Sequence, residues 1–128
     1  MSRSFFITNK TKAKLPSLAF EFMKNHVLGK NYDLSFVIVG DKLMRKLNKE
    51  RRNVDKNTDI LSFSITDEVG EIFLNLNSAK KEAQKFDRDF KNFLGFLFIH
   101  GLFHLKGMAH GSKMEGQESR VRKLFGFD

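Results

Sequence analysis

The chain of 128 residues contains no cysteine, and this absence excludes several kinds of chemistry. Disulfides, thiolate metal sites and cysteine nucleophiles are ruled out. A metal ion, if one is bound, must be held by nitrogen or oxygen ligands. Tryptophan is also absent and there is a single proline, whereas phenylalanine occurs 15 times, so the core is expected to be rich in phenylalanine.

Long hydrophobic runs are missing as well. The most apolar stretch, residues 93–105, is shorter than the roughly 20 residues that cross a bilayer, and it contains histidines. The first residues, MSRSFFITNKTK, have only a three-residue apolar run, which is not typical of a signal peptide. With the lack of cysteine, these features predict a soluble cytoplasmic protein with no membrane association.

Acidic residues are outnumbered, with 15 Asp and Glu against 23 Lys and Arg, and the formal net charge is +8. Such an excess favours an anionic partner such as RNA, DNA or an acidic membrane surface, although solubility alone explains it equally well. The length suits one compact domain covering residues 1–128.

The hydrophobic pattern predicts an α+β fold in the order β-α-β-α-β-β-α-α-α, a small mixed four-stranded sheet packed with about five helices. Two strands, residues 58–65 and 71–76, are expected to form a hairpin, and the polar residues 51–57 before them a loop. An apolar helix is expected from about Phe90 to Lys106, with Gly107 as its stop.

Three of the four histidines lie at the end of this apolar helix. His100 and His104 are four residues apart, so both imidazoles lie on one face and can reach a single ion. Gly107 lets the chain turn back, and His110 can then supply a third ligand. Three histidines with an open fourth position are typical of a catalytic zinc site. If only the helical pair is considered, the alternative is that the histidines are ordinary core residues that bind no metal.

The spacing H-x-x-x-H-x-x-G-x-x-H also matches the metzincin proteases in outline. Those enzymes need a glutamate directly after the first histidine as the general base. Gly101 occupies that position here, so peptidase activity is disfavoured.

Taken together, the motifs resemble the YbeY family of rRNA maturation factors, which are bacterial metal-dependent endoribonucleases. The family hallmark is close to H-G-x-L-H-L-x-G-x-D-H, and residues 100–110 read HGLFHLKGMAH. A second block, similar to L-N-x-x-Y-R, is LNKERR at residues 47–52, and T-[DN]-V-L-S-F is TDILSF at residues 58–63. A weaker match is GEI at residues 70–72.

The chain departs from the family pattern at four positions. Ala109 replaces the usual aspartate before the third histidine, a carboxylate that could orient a ligand. Phe103 replaces a leucine, Arg51 an aromatic residue, and Asn57 a proline. The first departure changes how the site is tuned rather than which residues bind the metal.

The resemblance implies cleavage of single-stranded RNA, with one zinc ion per chain held by His100, His104 and His110 and with Arg52 as the remaining catalytic residue. Because a guanidinium stays charged and grips two oxygens at once, it suits the charge that develops on a phosphodiester under attack. A one-residue slip would give this role to Arg51 instead.

The expected partners are rRNA and the ribosome or ribosomal proteins, and the expected state is a monomer. A ribosome- or rRNA-binding module with a structural three-histidine site is the alternative function. Asp59 and Ser62 either line the cleft or cap and pack the strand. Glu115 and Glu118 are expected to be solvated helix residues, with the alternative that either one supplies the carboxylate missing at Ala109. The phenylalanines are expected to form the core rather than to stack on bases.

Overall fold

The computed structural model describes residues 4–107 and 111–127 and has the predicted α+β architecture. The elements are β1 (Phe5–Asn9), α1 (Phe20–Leu28), β2 (Asp33–Ile38), α2 (Asp41–Arg52), β3 (Ile60–Thr66), β4 (Val69–Leu74), α3 (Leu76–Lys85), α4 (Phe90–Leu105) and α5 (Ser112–Phe125). The predicted element order is confirmed.

The sheet has the strand order β1-β2-β4-β3. The β1–β2 and β2–β4 pairs are parallel, and β3 pairs antiparallel with β4, so the sheet is mixed and the predicted hairpin is confirmed. Parallel neighbours need a long crossover, which α1 and the α2–β3 segment supply. The strand that precedes the hairpin turn, β3, therefore forms an edge of the sheet, where its side chains can border a cleft.

Helix α4 is the centre of the fold because it is apolar on nearly every side. A helix of this kind has to be covered all round. Phe98 packs with its ring centroid 4.7 Å from that of Phe36 on β2 and 5.0 Å from that of Phe20 on α1. At 16 residues α4 is the longest described helix, and no helix in the described ranges is long and apolar enough to span a membrane.

One face of α4 approaches β3 closely at Gly101. A Cβ atom at this position would lie 2.9 Å from Ser62 Oγ and 3.2 Å from Ile72 Cδ1. Only glycine therefore lets the helix lie this near to the sheet. The close approach brings His100 and His104, on either side of Gly101 in the sequence, to the edge formed by β3.

The predicted loop at residues 51–57 is wrong in its first two residues, because α2 continues through Arg51 to Arg52. The helix ends at Asn53, which has a left-handed conformation (φ 58°) that asparagine tolerates well. Lys49, Arg51 and Arg52 occupy the last turn, where positive charge complements the helix dipole. Arg51 and Arg52 are therefore held in a helical turn rather than in a loop.

Two other boundaries differ from the predictions. Helix α1 begins at Phe20 rather than near Pro16. Helix α3 is capped by Asn75 rather than by Asn77 or Ser78, because the buried Asn75 side chain accepts hydrogen bonds from the backbone N–H groups of both, at 3.0 and 3.2 Å. Both differences shift an end without changing the element.

Candidate active site

A cleft of about 320 Å³ lies between the end of α2, strand β3 and helix α4. We call it the histidine cleft; its lining residues are Arg52, Ile60, Leu61, Ser62, His100, Gly101 and His104. Four of the residues singled out from the sequence, namely Arg52, Ser62, His100 and His104, are therefore brought together here. His110 lies outside the described residues.

The two described histidines face one another. Their Nε2 atoms are 3.1 Å apart, and the ring planes are nearly perpendicular, at 88°. Zinc–nitrogen bonds of about 2.0–2.1 Å at tetrahedral angles place two ligand nitrogens about 3.3 Å apart. The observed separation is thus close to what a shared ion requires. Within the described ranges, no group of three potential ligands surrounds one point.

His100 is held from behind by Glu118. Its Nδ1 atom lies 2.7 Å from Oε1 of Glu118, on α5, and that glutamate is only 3% exposed. An ionised carboxylate only accepts hydrogen bonds, so Nδ1 of His100 carries the donated proton. The Nε2 atom of a neutral His100 then carries the lone pair that a metal ligand needs, and it faces Nε2 of His104 at 3.1 Å.

The expectation that Glu118 is a solvated helix residue is wrong. Met114, Glu118 and Val121 share one face of α5, and Met114 and Val121 are buried with it in the core. The sequence signal that could have indicated burial of Glu118 is its position between two apolar residues on the same helix face. Glu115, in contrast, is exposed and pairs with Nη2 of Arg122 at 3.0 Å.

The structure assigns different surroundings to the two adjacent arginines. Arg51 donates from Nη1 to Oε1 of Glu71 at 2.7 Å, and its guanidinium lies 4.7 Å from the ring centre of Phe63 and 5.5 Å from that of Phe73. It is therefore tied to the outer face of the hairpin, and only Arg52 borders the histidine cleft.

Arg52 is supported by a buried asparagine one turn earlier in α2. Its Nη1 donates to Oδ1 of Asn48 at 3.4 Å, and Asn48 in turn donates from Nδ2 to the backbone oxygen of Lys56 at 2.8 Å. Asn48 is 2% exposed. Asn48 thus restrains one edge of the Arg52 guanidinium, and Arg52 lines the cleft.

Asp59 does not line the histidine cleft but a neighbouring groove, beside Glu82. Burial raises the pKa of the Asp59 carboxyl, and the nearby Glu82 adds to the increase. A partly desolvated carboxylate next to a second acid is a local cost to the fold, and such costs are frequent at functional sites.

Comparison with known proteins agrees with these features. The family model described as Endoribonuclease YbeY matches residues 3–124. The chain is 32% identical over 112 residues to "Endoribonuclease YbeY" of Oenococcus oeni, covering 79% of this chain and 71% of that protein. It is 32% identical over 123 residues to the protein of the same name in Aliarcobacter butzleri, covering 91% and 85%.

A solved structure shares the fold. The solution structure of TM1509 from Thermotoga maritima aligns with a TM-score of 0.65 at 20% identity, covering 93% of this chain and 87% of that one. The family match includes α2, the β3–β4 hairpin, α4 and most of α5, which carry the cleft residues and Glu118. The chain belongs to the Endoribonuclease YbeY family.

Proposed function

We propose that this protein is a zinc-dependent endoribonuclease that hydrolyses single-stranded RNA in rRNA maturation. The observation that carries the proposal is the pair of imidazole Nε2 atoms, 3.1 Å apart, in a cleft that also presents Arg52. Nitrogen ligands beside a fixed cation match the needs of phosphodiester hydrolysis, in which negative charge accumulates on the phosphoryl oxygens.

The donor set fits a transition metal. His100 and His104 direct nitrogens at one place, Glu118 fixes the tautomer of His100, and His110 is the proposed third ligand. When bound, zinc would supply a Lewis acid that polarises a phosphoryl oxygen and makes water acidic enough to attack near neutral pH. We propose one such ion per chain.

The role of Arg52 follows from its charge and its support. A phosphodiester carries one negative charge, and further charge builds on its oxygens as a nucleophile adds. The guanidinium, anchored on Asn48, binds two of these oxygens at once and needs no reorganisation as the charge grows. Removing a single electrostatic donor of this kind typically slows catalysis about 10²–10³-fold.

The basic surface accounts for RNA affinity without sequence preference. Phosphate contacts by Lys and Arg give binding that weakens steeply with salt. Part of the charge is already neutralised within the chain, since Arg45 pairs with Asp55 at 2.8 Å and Arg51 with Glu71 at 2.7 Å. We propose that the remaining cations dock the protein, as a monomer in the cytoplasm, on rRNA and the ribosome.

The test combines metal content with RNA cleavage. Freshly purified protein should contain about one zinc or other transition-metal ion per chain, and His104→Ala should contain almost none. A single-stranded RNA should be cut by the loaded protein and spared by Arg52→Ala prepared in parallel. Metal in the protein with no cleavage in any state, but tight ribosome binding, would favour the binding-module alternative.

A further inference from the structure

A second groove lies beside the histidine cleft and runs along α3 and α4. It measures about 520 Å³ and shares Ile60 and His100 with the cleft, so the two spaces are adjacent. We call it the aromatic groove; the lining residues that matter here are Asp59, Glu82, Phe86, Arg88 and Phe96. None of them takes part in the reaction proposed above.

Phe86 is the unusual member of this groove. It follows the last turn of α3 and is 64% exposed, although most phenylalanines of the chain lie in the core. The neighbouring Phe96 is covered, because the guanidinium of Arg88 lies 4.5 Å from its ring centre and that of Arg122 lies 5.1 Å away. Phe86 has a more distant cation, with Nζ of Lys85 5.9 Å from its ring centre, and its exposed ring still offers a surface on which bases of single-stranded RNA stack.

The charges in the groove indicate which part of RNA it accepts. The two carboxylates of Asp59 and Glu82 outweigh the single guanidinium of Arg88, so the net negative charge of the groove disfavours a phosphate group as its occupant. Their oxygens instead accept hydrogen bonds, and bases offer N–H donors on their Watson–Crick edges. Guanine presents two adjacent donors, the N1–H and the 2-amino group, which match a carboxylate, whereas uracil has one N–H between two carbonyls.

The wall shared by the groove and the cleft determines where that base lies relative to the reaction. His100 borders both spaces, and the ring of Phe96 stacks parallel to the ring of His100 with the centroids 6.3 Å apart. A base in the groove therefore belongs to a nucleotide next to the phosphate in the cleft.

We propose that the aromatic groove binds a nucleobase flanking the scissile phosphate, with Phe86 as the stacking surface and Asp59 as the acceptor that favours guanine. The proposal rests on the proposed function, because it names a substrate subsite for the same cleft. The groove would give the enzyme a preference for one base, which contacts to phosphate alone do not provide.

The test compares four proteins on short single-stranded RNAs that are identical except for one guanine or uracil beside the cleaved bond. The proteins are wild type, Phe86→Ala, Asp59→Asn and the control Phe22→Ala, which removes another exposed phenylalanine (74%) from α1, away from both spaces. Binding is measured by fluorescence anisotropy and cleavage by kcat/KM. Because Phe86 and Phe22 are both exposed, neither variant should impair folding, and circular dichroism checks this.

Phe86→Ala should weaken binding by about 5- to 100-fold for every RNA, as loss of one stacking surface does, whereas Phe22→Ala should match wild type. Asp59→Asn should abolish the preference for guanine, measured as the ratio of kcat/KM for the guanine RNA to kcat/KM for the uracil RNA. If wild type cuts RNA but Phe86→Ala behaves as Phe22→Ala does, the groove proposal is wrong and the proposed function stands. If wild type neither binds nor cuts RNA, both are wrong.

Discussion

The Nδ1 atom of His100 and the Oε1 atom of Glu118 lie 2.7 Å apart, although 18 residues separate them in the sequence. The glutamate is buried and the histidine is one of the proposed metal ligands. The contact links α5 to the site on α4. It also places a carboxylate behind a proposed ligand histidine in a chain that has Ala109 at the aspartate position of the family hallmark given above.

Replacing Glu118 should weaken metal binding. Loss of a carboxylate behind a ligand histidine typically costs about 10- to 100-fold in affinity, and we expect this for Glu118→Ala. Glu118→Gln should lose less zinc affinity, because its amide oxygen still accepts a hydrogen bond from Nδ1–H of His100. Zinc affinity is measured by competition with a chromogenic chelator. Glu115→Gln, on the exposed face of the same helix, is the control, and equal affinities in all four proteins would contradict the positioning role.

Arg51 and Arg52 should separate into a stabilising and a catalytic residue. Arg52→Ala should lower kcat/KM for RNA by about 10²–10³-fold with little change in the free energy of unfolding. Arg51→Ala removes cation–π contacts with Phe63 and Phe73, each worth about 0.5–1 kcal/mol at exposed sites. It should therefore lower stability in urea while cleavage continues. The reverse pattern would show that Arg51 is the residue that contacts phosphate.

Gly101→Ala should disturb both the fold and the site. Alanine favours the helix by about 0.5–1 kcal/mol over glycine, but overpacking costs about 1–3 kcal/mol, and the new Cβ would lie 2.9 Å from Ser62 Oγ. We expect a net loss of stability and weaker zinc binding, since α4 must move from β3. Gly116→Ala is the matched control, because nothing lies within 4 Å of its Cβ position in α5, and it should gain stability.

Asp59→Asn should make the protein more stable at neutral pH. Burial raises the pKa of Asp59 in the folded state, so its ionised form destabilises the fold above that pKa. The unfolded value is about 3.9. The stability gained by the substitution should thus be full above the folded pKa and vanish as the pH falls towards about 3.9. Urea unfolding of both proteins across this range measures the difference, and no gain at pH 7 would contradict it.

Asp41 has a pKa shifted in the opposite direction from that of Asp59. Hydrogen bonds from the side chains of Asn75 and Asn57, with a further one from Asn77, lower the pKa of Asp41. Its ionised form stabilises the fold, so Asp41→Ala should lose stability at neutral pH. This loss should disappear as the pH falls below about 3.9 and through the lower folded pKa.

The sequence was sufficient for the order of the elements and for the pairing of His100 with His104, because both depend on local spacing. The all-round apolar character of α4 and the four-residue interval between His100 and His104 are readable without tertiary structure. The end of α2 was mistaken because Arg51 and Arg52 have no apolar pattern, and their helical conformation depends on the dipole and on Asn53. The sheet order, in which β4 inserts between β2 and β3, is also not a local property.

Residues that act across elements were the hardest to assign. Glu118 is separated from His100 by a turn and a helix, and only its place between Met114 and Val121 hinted at burial. Phe86 was grouped with the core phenylalanines, since composition does not tell an exposed ring from a buried one. The two proposed ligands on α4 are therefore close in sequence, whereas the residue that supports His100 lies 18 positions away.

The bond from His100 to Glu118 also bears on when the protein becomes active during its own synthesis. The hairpin, α2 and α4 all precede α5 in the chain. A nascent chain that has displayed both helical histidines still lacks the carboxylate that orients one of them. The contact between His100 and Glu118 can therefore form only after α5 has been synthesised and has packed against α4, so the supported form of the site is completed last.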